Sequence, residues 1–438
     1  MVKKADLSLR GRARRRVHWV ATHGIARGFV QTAARRGDLQ ARLILEGREG
    51  GDVWAAIEAL RDSGPVYRSP GAWVATSHDL VKEVLASGEF RAGNPMYSDT
   101  PLGRLAMRTA SRVVHPVEPP SLLVVEPPEH TRYRKMVSRV FTVRAVQELR
   151  TRTEKIAGEL LDELALEHGP VDLVERYCAT LPVTIIAEIL GVPEADRDRV
   201  LELGAAAAPS LDFGLTWADF RHVDDGLRAF DGWLDEHLAR LRRAPGDDLL
   251  SQLVLARDEQ GELTAAELKA TAGLVLAAGF ETTVNLLANG IVLLREHPDQ
   301  LERLRTEPSL WPNAVDEVLR LDPPVLFTGR MTVTGAQLGG EDVPAGTGVL
   351  TVLAGANRDP EVFPDPTAFD VARENAREHV SFSGGRHFCL GASLARMEGE
   401  IGLRALFDRF PDLELLPGAR RRPTRVLRGW GNLPARTR

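Results

Sequence analysis

The stretch from Thr264 to Leu294 does most to limit what this chain can fold into. It is apolar on nearly all sides, opens with a capping box formed by Thr264 and Glu267, and closes before Pro298. A helix of that length reaches about 45 Å at about 1.5 Å per residue. Its part from Leu274 to Leu294 is long and apolar enough for a membrane span. Yet it carries Glu281, Thr282, Thr283, Asn285 and Asn289 near its middle, which hydrocarbon would penalise. The pattern therefore predicts a core helix threaded through a large protein, and a chain of 438 residues can bury such a core.

The rest of the pattern is consistent with that core. No Ser/Gly or acidic tract divides the chain and no internal repeat is visible, so a single large domain is expected. A helix over Val53–Asp62 leads to a hairpin, Val66–Arg68 and Trp73–Ala75, and Ser77 caps a further helix. The Gly-, Pro- and Ser-rich stretch from Phe90 to Leu123 reads as a long functional loop. Helical spacing covers 134–166, 171–191, 222–243 and 248–257. Residues 331–355 switch to strand period, a Pro-rich meander spans 357–370, and a last helix runs from Leu390 to Phe410. The fold class is mainly α with small β-sheets, with residues 1–50 a basic N-terminal extension and 51–438 the body.

The formal net charge of −5 argues against nucleic acid as a partner. The first sixteen residues nevertheless hold Lys3, Lys4, Arg10, Arg12, Arg14, Arg15 and Arg16 against Asp6. They read either as a solvated basic terminus or as an arm making peripheral contact with an anionic membrane surface. Two cysteines, Cys178 and Cys389, exclude a disulfide framework and fit a reducing cytoplasm; no apolar stretch of signal-peptide type opens the chain.

The strongest chemical signal is Phe382-Ser383-Gly384-Gly385-Arg386-His387-Phe388-Cys389-Leu390-Gly391. Paired glycines let the chain turn tightly and lie against a flat ligand. Cys389 precedes a long helix, whose unpaired N–H groups and dipole favour a thiolate. The design suits a soft-metal ligand or a nucleophile, with a buried structural cysteine as the plainer alternative and a zinc site of His379, His387 and Cys389 as another. In Ala278-Gly279-Phe280-Glu281-Thr282-Thr283, a carboxylate and hydroxyls inside an apolar helix must be hydrogen-bonded or used. Glu317-Val318-Leu319-Arg320 would ordinarily be a surface pair. In Glu126-Pro127-Pro128-Glu129-His130-Thr131-Arg132-Tyr133-Arg134, His130 and Arg134 share one helix face.

Taken in order, these four segments resemble the cytochrome P450 superfamily, from about Asp52 to near Pro434. Phe382, Gly385, His387, Cys389 and Gly391 fall in register with its haem-binding signature, and Ala392-Ser393-Leu394-Ala395-Arg396-Met397-Glu398 resembles soluble bacterial members. His18-Trp19, Arg35-Arg36-Gly37-Asp38-Leu39 and Arg425-Val426-Leu427-Arg428-Gly429-Trp430 look like an actinobacterial branch close to mycobacterial cytochrome P450 family 140. The resemblance implies the triangular-prism P450 fold and haem b (iron protoporphyrin IX), with Cys389 on the iron and Phe382 and Phe388 near the sulfur. It implies that His130, Arg134, Arg330 and His387 serve the haem propionates. By the same resemblance Gly279 leaves room for dioxygen, Thr282 donates a hydrogen bond where dioxygen is activated, and Glu281 relays protons. Glu317, Arg320 and Arg373 form a structural triad, and family position puts Leu274, Ala278, Val325, Leu326, Phe327 and Trp430 in the substrate pocket, beside the 91–120 loop and the 205–213 region.

The implied activity is monooxygenation of an apolar organic substrate, such as a lipid, a sterol-like molecule or a polyketide. With no dinucleotide fingerprint in the chain, electrons would come from a ferredoxin and ferredoxin reductase, with Arg132, Lys135 and Arg139 as cations for an acidic partner. The alternatives are a peroxide-driven peroxygenase and a non-catalytic haem carrier or sensor; the Glu281–Thr282 pair argues for the monooxygenase.

Overall fold

The capping box at the head of the long helix forms as the spacing predicts. Thr264 Oγ1 accepts the Glu267 N–H at 3.3 Å, and Glu267 Oε2 accepts the Thr264 N–H at 2.7 Å. Glu267 Oε1 also accepts the Tyr133 hydroxyl at 2.6 Å, which ties helix Glu129–Ser138 to this end. The computed structural model describes residues 9–49, 51–93, 100–111, 113–138, 141–258 and 261–437. In it the central helix runs Ala265–Glu296, and helices Thr180–Ile189, Arg197–Ala207, Trp311–Leu321 and Ala392–Arg409 pack around it. Among the described residues it is the one helix long and apolar enough to cross a membrane, and 71% of its apolar window is buried inside the protein. It is a core helix.

The sheets are small. Strands Val66–Arg68, Trp73–Ala75, Gly348–Thr351, Thr328–Thr332 and Phe90–Arg91 form one five-stranded sheet in that spatial order, antiparallel except where Trp73–Ala75 meets Gly348–Thr351. The helix Val53–Asp62 and the first hairpin keep the bounds read from sequence. Three local expectations change. Ser77 gives no side-chain cap; Asp359 Oδ2 accepts the His78 N–H at 2.8 Å instead. The 90–123 loop contains helix Pro101–Thr109, begun by Thr100 accepting the Gly103 N–H. The 134–166 stretch is divided, because Thr142 starts a fresh helix, Val143–Ala165.

The N-terminal segment folds against the body. Helices Leu9–Trp19, Ile25–Arg35 and Leu39–Glu49, with a π turn at Val20–Gly24, follow one another. Val30, Ala33, Ala41, Leu43 and Ile44 share one apolar cluster with Val53, Ile57, Leu60, Leu326 and Phe327. Its cations are engaged by protein: Arg14 donates to the carbonyls of Arg108 and Ala110, Arg15 pairs with Asp224 at 2.6 Å, and Arg16 lies over the Trp19 and Trp217 rings. The loose arm considered from sequence is, from residue 9 onward, a docked helix. Lys3 and Lys4 lie outside the described residues.

Arg320 and Glu317 are fully buried in helix Trp311–Leu321. Their pair is bidentate, with Arg320 Nε to Glu317 Oε2 at 2.6 Å and the second guanidinium nitrogen to Oε1 at 2.8 Å, and Arg373 Nε reaches Oε1 at 3.1 Å. Arg320 also donates to the carbonyls of Asn357, Pro366 and Ala368, so the triad gathers the meander onto the helix. Removing one member of a buried pair strands the other charge, at about 3–5 kcal/mol. Glu317→Ala should therefore lower the unfolding free energy measured in urea by that much, with a lower midpoint, or leave no folded protein. An unchanged midpoint would show that the triad does not hold the fold.

Candidate active site

Phe382 to Gly391 forms a tight loop because its backbone leaves no slack. Ser383 and Gly385 have φ of 62° and 60°, in the left-handed region that favours glycine. A Cβ on Gly385 would stand 2.3 Å from the Leu85 carbonyl oxygen, so the residue has to be glycine. Here the structure corrects the sequence: Gly385 presses against the end of helix His78–Ala86 and does not line the cavity. The Cys389 N–H donates to Phe382 O at 2.9 Å and closes the loop. Behind it Arg396 lies 4.6 Å over the Phe382 ring, with its Nε 2.6 Å from Asp316 Oδ1. His379 Nε2 takes the same carboxylate at 3.1 Å, and among the described residues no cluster of His, Cys, Asp and Glu could hold a metal ion, which removes the zinc alternative.

Beyond this loop lies a cavity of about 1010 Å³, at the upper end of the usual ligand-site range. Cys389, Leu390 and Gly391 line it, and the exposed surface of Cys389 faces it. Burial pushes the Cys389 thiol up, while the Gly391 N–H and the Arg134 and Arg396 guanidiniums pull the other way. Burial thus opposes the pull that the helix start exerts on this thiol.

Two guanidiniums and two imidazoles, Arg134, Arg330, His130 and His387, line the same cavity. Arg134 donates to Phe388 O at 2.7 Å. Arg330 is buried, bonds only to Gly329 O, Thr328 Oγ1 and Ser383 Oγ among the described residues, and is lowered by desolvation to about 10. His130 Nε2 is buried with no hydrogen-bond partner, and its ring lies 4.5 Å from that of His387. Sequence reasoning quoted Glu126 but gave it no role. Its carboxylate sits among these groups, with His387 Nε2 and an Arg386 nitrogen each 3.2 Å away and the Ala92 N–H at 2.6 Å. Burial and the neighbouring His130 lower His387 to about 4.

The central helix lines the cavity through Leu274, Ala278, Gly279, Glu281 and Thr282. Thr282 Oγ1 donates back to Ala278 O at 3.0 Å, and Thr283 Oγ1 to Gly279 O at 3.0 Å. A Cβ on Gly279 would come within 3.1 Å of Ile186, so helix crossing as well as cavity space calls for glycine there. Glu281 is buried; desolvation raises its carboxyl while Arg422, 2.7 Å from Oε1, opposes the shift, and Oε2 has no partner. Arg422 carries no sequence signal of its own, because only the closing turn of strands Arg420–Arg421 and Trp430–Asn432 brings it there.

Two expected pocket residues lie elsewhere. Val325 and Phe327 line the cavity and Leu326 does not, although Leu326 and Phe327 both belong to the apolar cluster shared with the N-terminal segment. Trp430 packs on the main core with the Arg421 guanidinium 4.0 Å over its ring; Val426 and Leu427 take the cavity side. The N-terminal segment adds wall that sequence reasoning did not foresee, including His18, His23, Phe29 and Ile44.

A helical body with one cysteine thiol and a set of cations around a buried, largely apolar cavity defines a protein built to hold an anionic, metal-bearing prosthetic group. Residues 209–429 match the family model for cytochrome P450. The chain is 51% identical to cytochrome P450 140 of Mycobacterium tuberculosis, over 96% of this chain and 97% of that protein. It is 40% identical to the cytochrome P450 monooxygenase PikC of Streptomyces venezuelae, over 88% of this chain and 91% of PikC. A crystal structure of P450BioI in complex with hexadec-9Z-enoic acid ligated acyl carrier protein superimposes with a TM-score of 0.79, at 30% identity over 88% of this chain and 97% of that one. The chain belongs to the cytochrome P450 family. It is a monooxygenase, and its prosthetic group is haem b.

Because Gly385 meets backbone rather than a flexible side chain, Gly385→Ala should cost about 1–3 kcal/mol and loosen the cysteine loop. Chemical denaturation together with haem retention on gel filtration would show it; unchanged values for both would remove Gly385 from the loop's support.

Proposed function

We propose that the chain hydroxylates an apolar organic substrate with dioxygen, and that Cys389 is the thiolate ligand of the haem iron. The observation that carries this reading is that a single cavity is lined by the Cys389 side chain, by the under-partnered His130 and Arg330, and by Glu281 and Thr282. The residues fit haem b. The buried Nε2 of His130 and the Arg330 guanidinium, which has no carboxylate within ion-pair range among the described residues, suit two propionates, with Arg134 and His387 beside them. Phe382 and Phe388 stand 6.3 Å apart on the loop that carries the sulfur.

Bound haem iron with a thiolate ligand supplies dioxygen activation, the sulfur pushing electron density toward O–O cleavage. The chain supplies the protons. The reaction takes substrate R–H, dioxygen, two electrons and two protons to R–OH and water. Glu281 offers Oε2, which has no hydrogen-bond partner among the described residues, as the atom that takes up and releases the proton, and Arg422, partly exposed, links Oε1 toward solvent. The Thr282 hydroxyl, bonded back to Ala278 O, keeps its lone pairs for a proton arriving from Glu281 and passes its own hydrogen to the dioxygen site. The electrons come from a ferredoxin and its reductase. Of the cations considered for that partner, Lys135 is exposed, Arg132 is held by the Gly261 and Glu262 carbonyls, and Arg139 lies outside the described residues.

Cys389→Ser should abolish the thiolate-type absorption of the reduced carbon monoxide complex; a retained band would defeat the ligand assignment. Thr282→Ala should bind substrate as before yet divert electrons to peroxide or water, seen as less product per NADH with ferredoxin and reductase. If the variant still couples fully, Thr282 has no part in proton delivery. Turnover with peroxide but none with the electron-transfer pair would favour the peroxygenase alternative.

A further inference from the structure

Three histidines on the N-terminal half of the chain line the cavity that Cys389 lines. His18 ends helix Leu9–Trp19, His23 sits on the π turn Val20–Gly24, and His115 follows helix Pro101–Thr109. His18 and His23 flank the Phe220 ring at 6.0 and 5.4 Å. None of the three belongs to the cysteine loop or the central helix.

Their backbone partners fix the tautomers. A main-chain N–H can only donate, so His23 Nδ1, 3.4 Å from the Leu215 nitrogen, accepts, as does His115 Nδ1, 3.3 Å from the Val117 nitrogen. Each neutral ring then carries its proton on Nε2. His18 is the reverse: its Nδ1 lies 3.2 Å from the Ala106 carbonyl and donates to it, leaving Nε2 as a lone pair. Among the described residues no hydrogen bond is made by any of the three Nε2 atoms. Desolvation holds His23 at about 3 and His115 at about 4, and lowers His18, so the rings are uncharged at neutral pH. The nearby Asp224 is already paired, to Arg15 at 2.6 Å and Arg228 at 3.0 Å. Two neutral N–H donors and one neutral acceptor suit an uncharged oxygen function. They offer a carboxylate no charge.

We propose that His18, His23 and His115 form a polar subsite that binds a ketone or hydroxyl oxygen on the otherwise apolar substrate, so that the N-terminal segment sets substrate specificity. This rests on the monooxygenase reading for what happens to the bound molecule, but binding can be tested apart from it. Cyclododecane, cyclododecanone, cyclododecanol and cyclododecanecarboxylate share an apolar ring and differ only in the polar group. Ligand-dependent thermal stabilisation of the haem-loaded protein reads binding without chemistry, and the substrate-induced shift of the haem absorption reads approach to the iron.

The ketone and alcohol should bind about tenfold more tightly than the hydrocarbon, the worth of roughly one good buried hydrogen bond. The carboxylate should gain nothing. His23→Phe with His115→Phe should erase the preference and leave hydrocarbon binding unchanged, while His23→Gln with His115→Gln, which restores side-chain N–H donors, should return part of it. Equal binding of all four compounds, tightest binding of the carboxylate, or a preference that survives the double Phe variant would each overturn the subsite. If the preference appears in thermal stabilisation but the haem spectrum never responds, the subsite stands and the proposed hydroxylation of molecules held there falls.

Discussion

A single buried carboxylate holds the catalytic side of this protein together. Glu317 is the shared counter-charge of Arg320 and Arg373, and the two guanidiniums in turn collect carbonyls from Asn357, Pro364, Asp365, Pro366 and Ala368. Asn357 passes the constraint on, accepting the Val380 N–H and donating to Ser381 Oγ, at the entrance to the cysteine loop. A segment with no regular structure is fixed because these carbonyls and amides have buried partners. A buried ion pair adds little net stability, but it leaves few alternative arrangements for the chain between residues 357 and 389.

The cavity follows the opposite rule. Around it, among the described residues, the protein leaves polar groups short of partners: the His130 ring, the Arg330 guanidinium, Glu281 Oε2 and the Nε2 atoms of His18, His23 and His115. Unmet hydrogen-bonding capacity in a dry site is expensive, and it is concentrated where ligands of complementary chemistry bind. Arg134 and Arg330 line the cavity from the body of the protein, while the uncharged imidazoles come from the N-terminal segment and the stretch after helix Pro101–Thr109. The segment's helices share an apolar cluster with the body, so their part of the wall is packed into the protein's core.

Much of the local structure was legible in the chain because it depends on short-range rules. Thr264 and Glu267 form their box whatever surrounds them, and the hairpin at Val66–Arg68 and Trp73–Ala75 is set by its turn. Ser77 was misjudged because its helix is capped by Asp359, far away in sequence. Leu326 was misjudged because it packs in the apolar cluster shared with the N-terminal segment and does not line the cavity as its neighbours Val325 and Phe327 do. Gly385 was recognised as necessary for the wrong contact: the Leu85 carbonyl, not a flat ligand, forbids a side chain there.

By itself, then, the sequence determined the central helix, the cysteine at the head of the last helix, the acid and hydroxyl inside the apolar run, and the family these imply. Each is a matter of residue type and spacing over a few turns of chain. Only the tertiary structure decided that Arg422 meets Glu281, that Glu126 lies among the cations beside His387, and that residues 18 to 44 wall the cavity. Those outcomes depend on which surfaces are excluded from water together. Desolvation, which sets the direction of shift at Cys389, Glu281 and His23, exists only once distant segments have closed around a group.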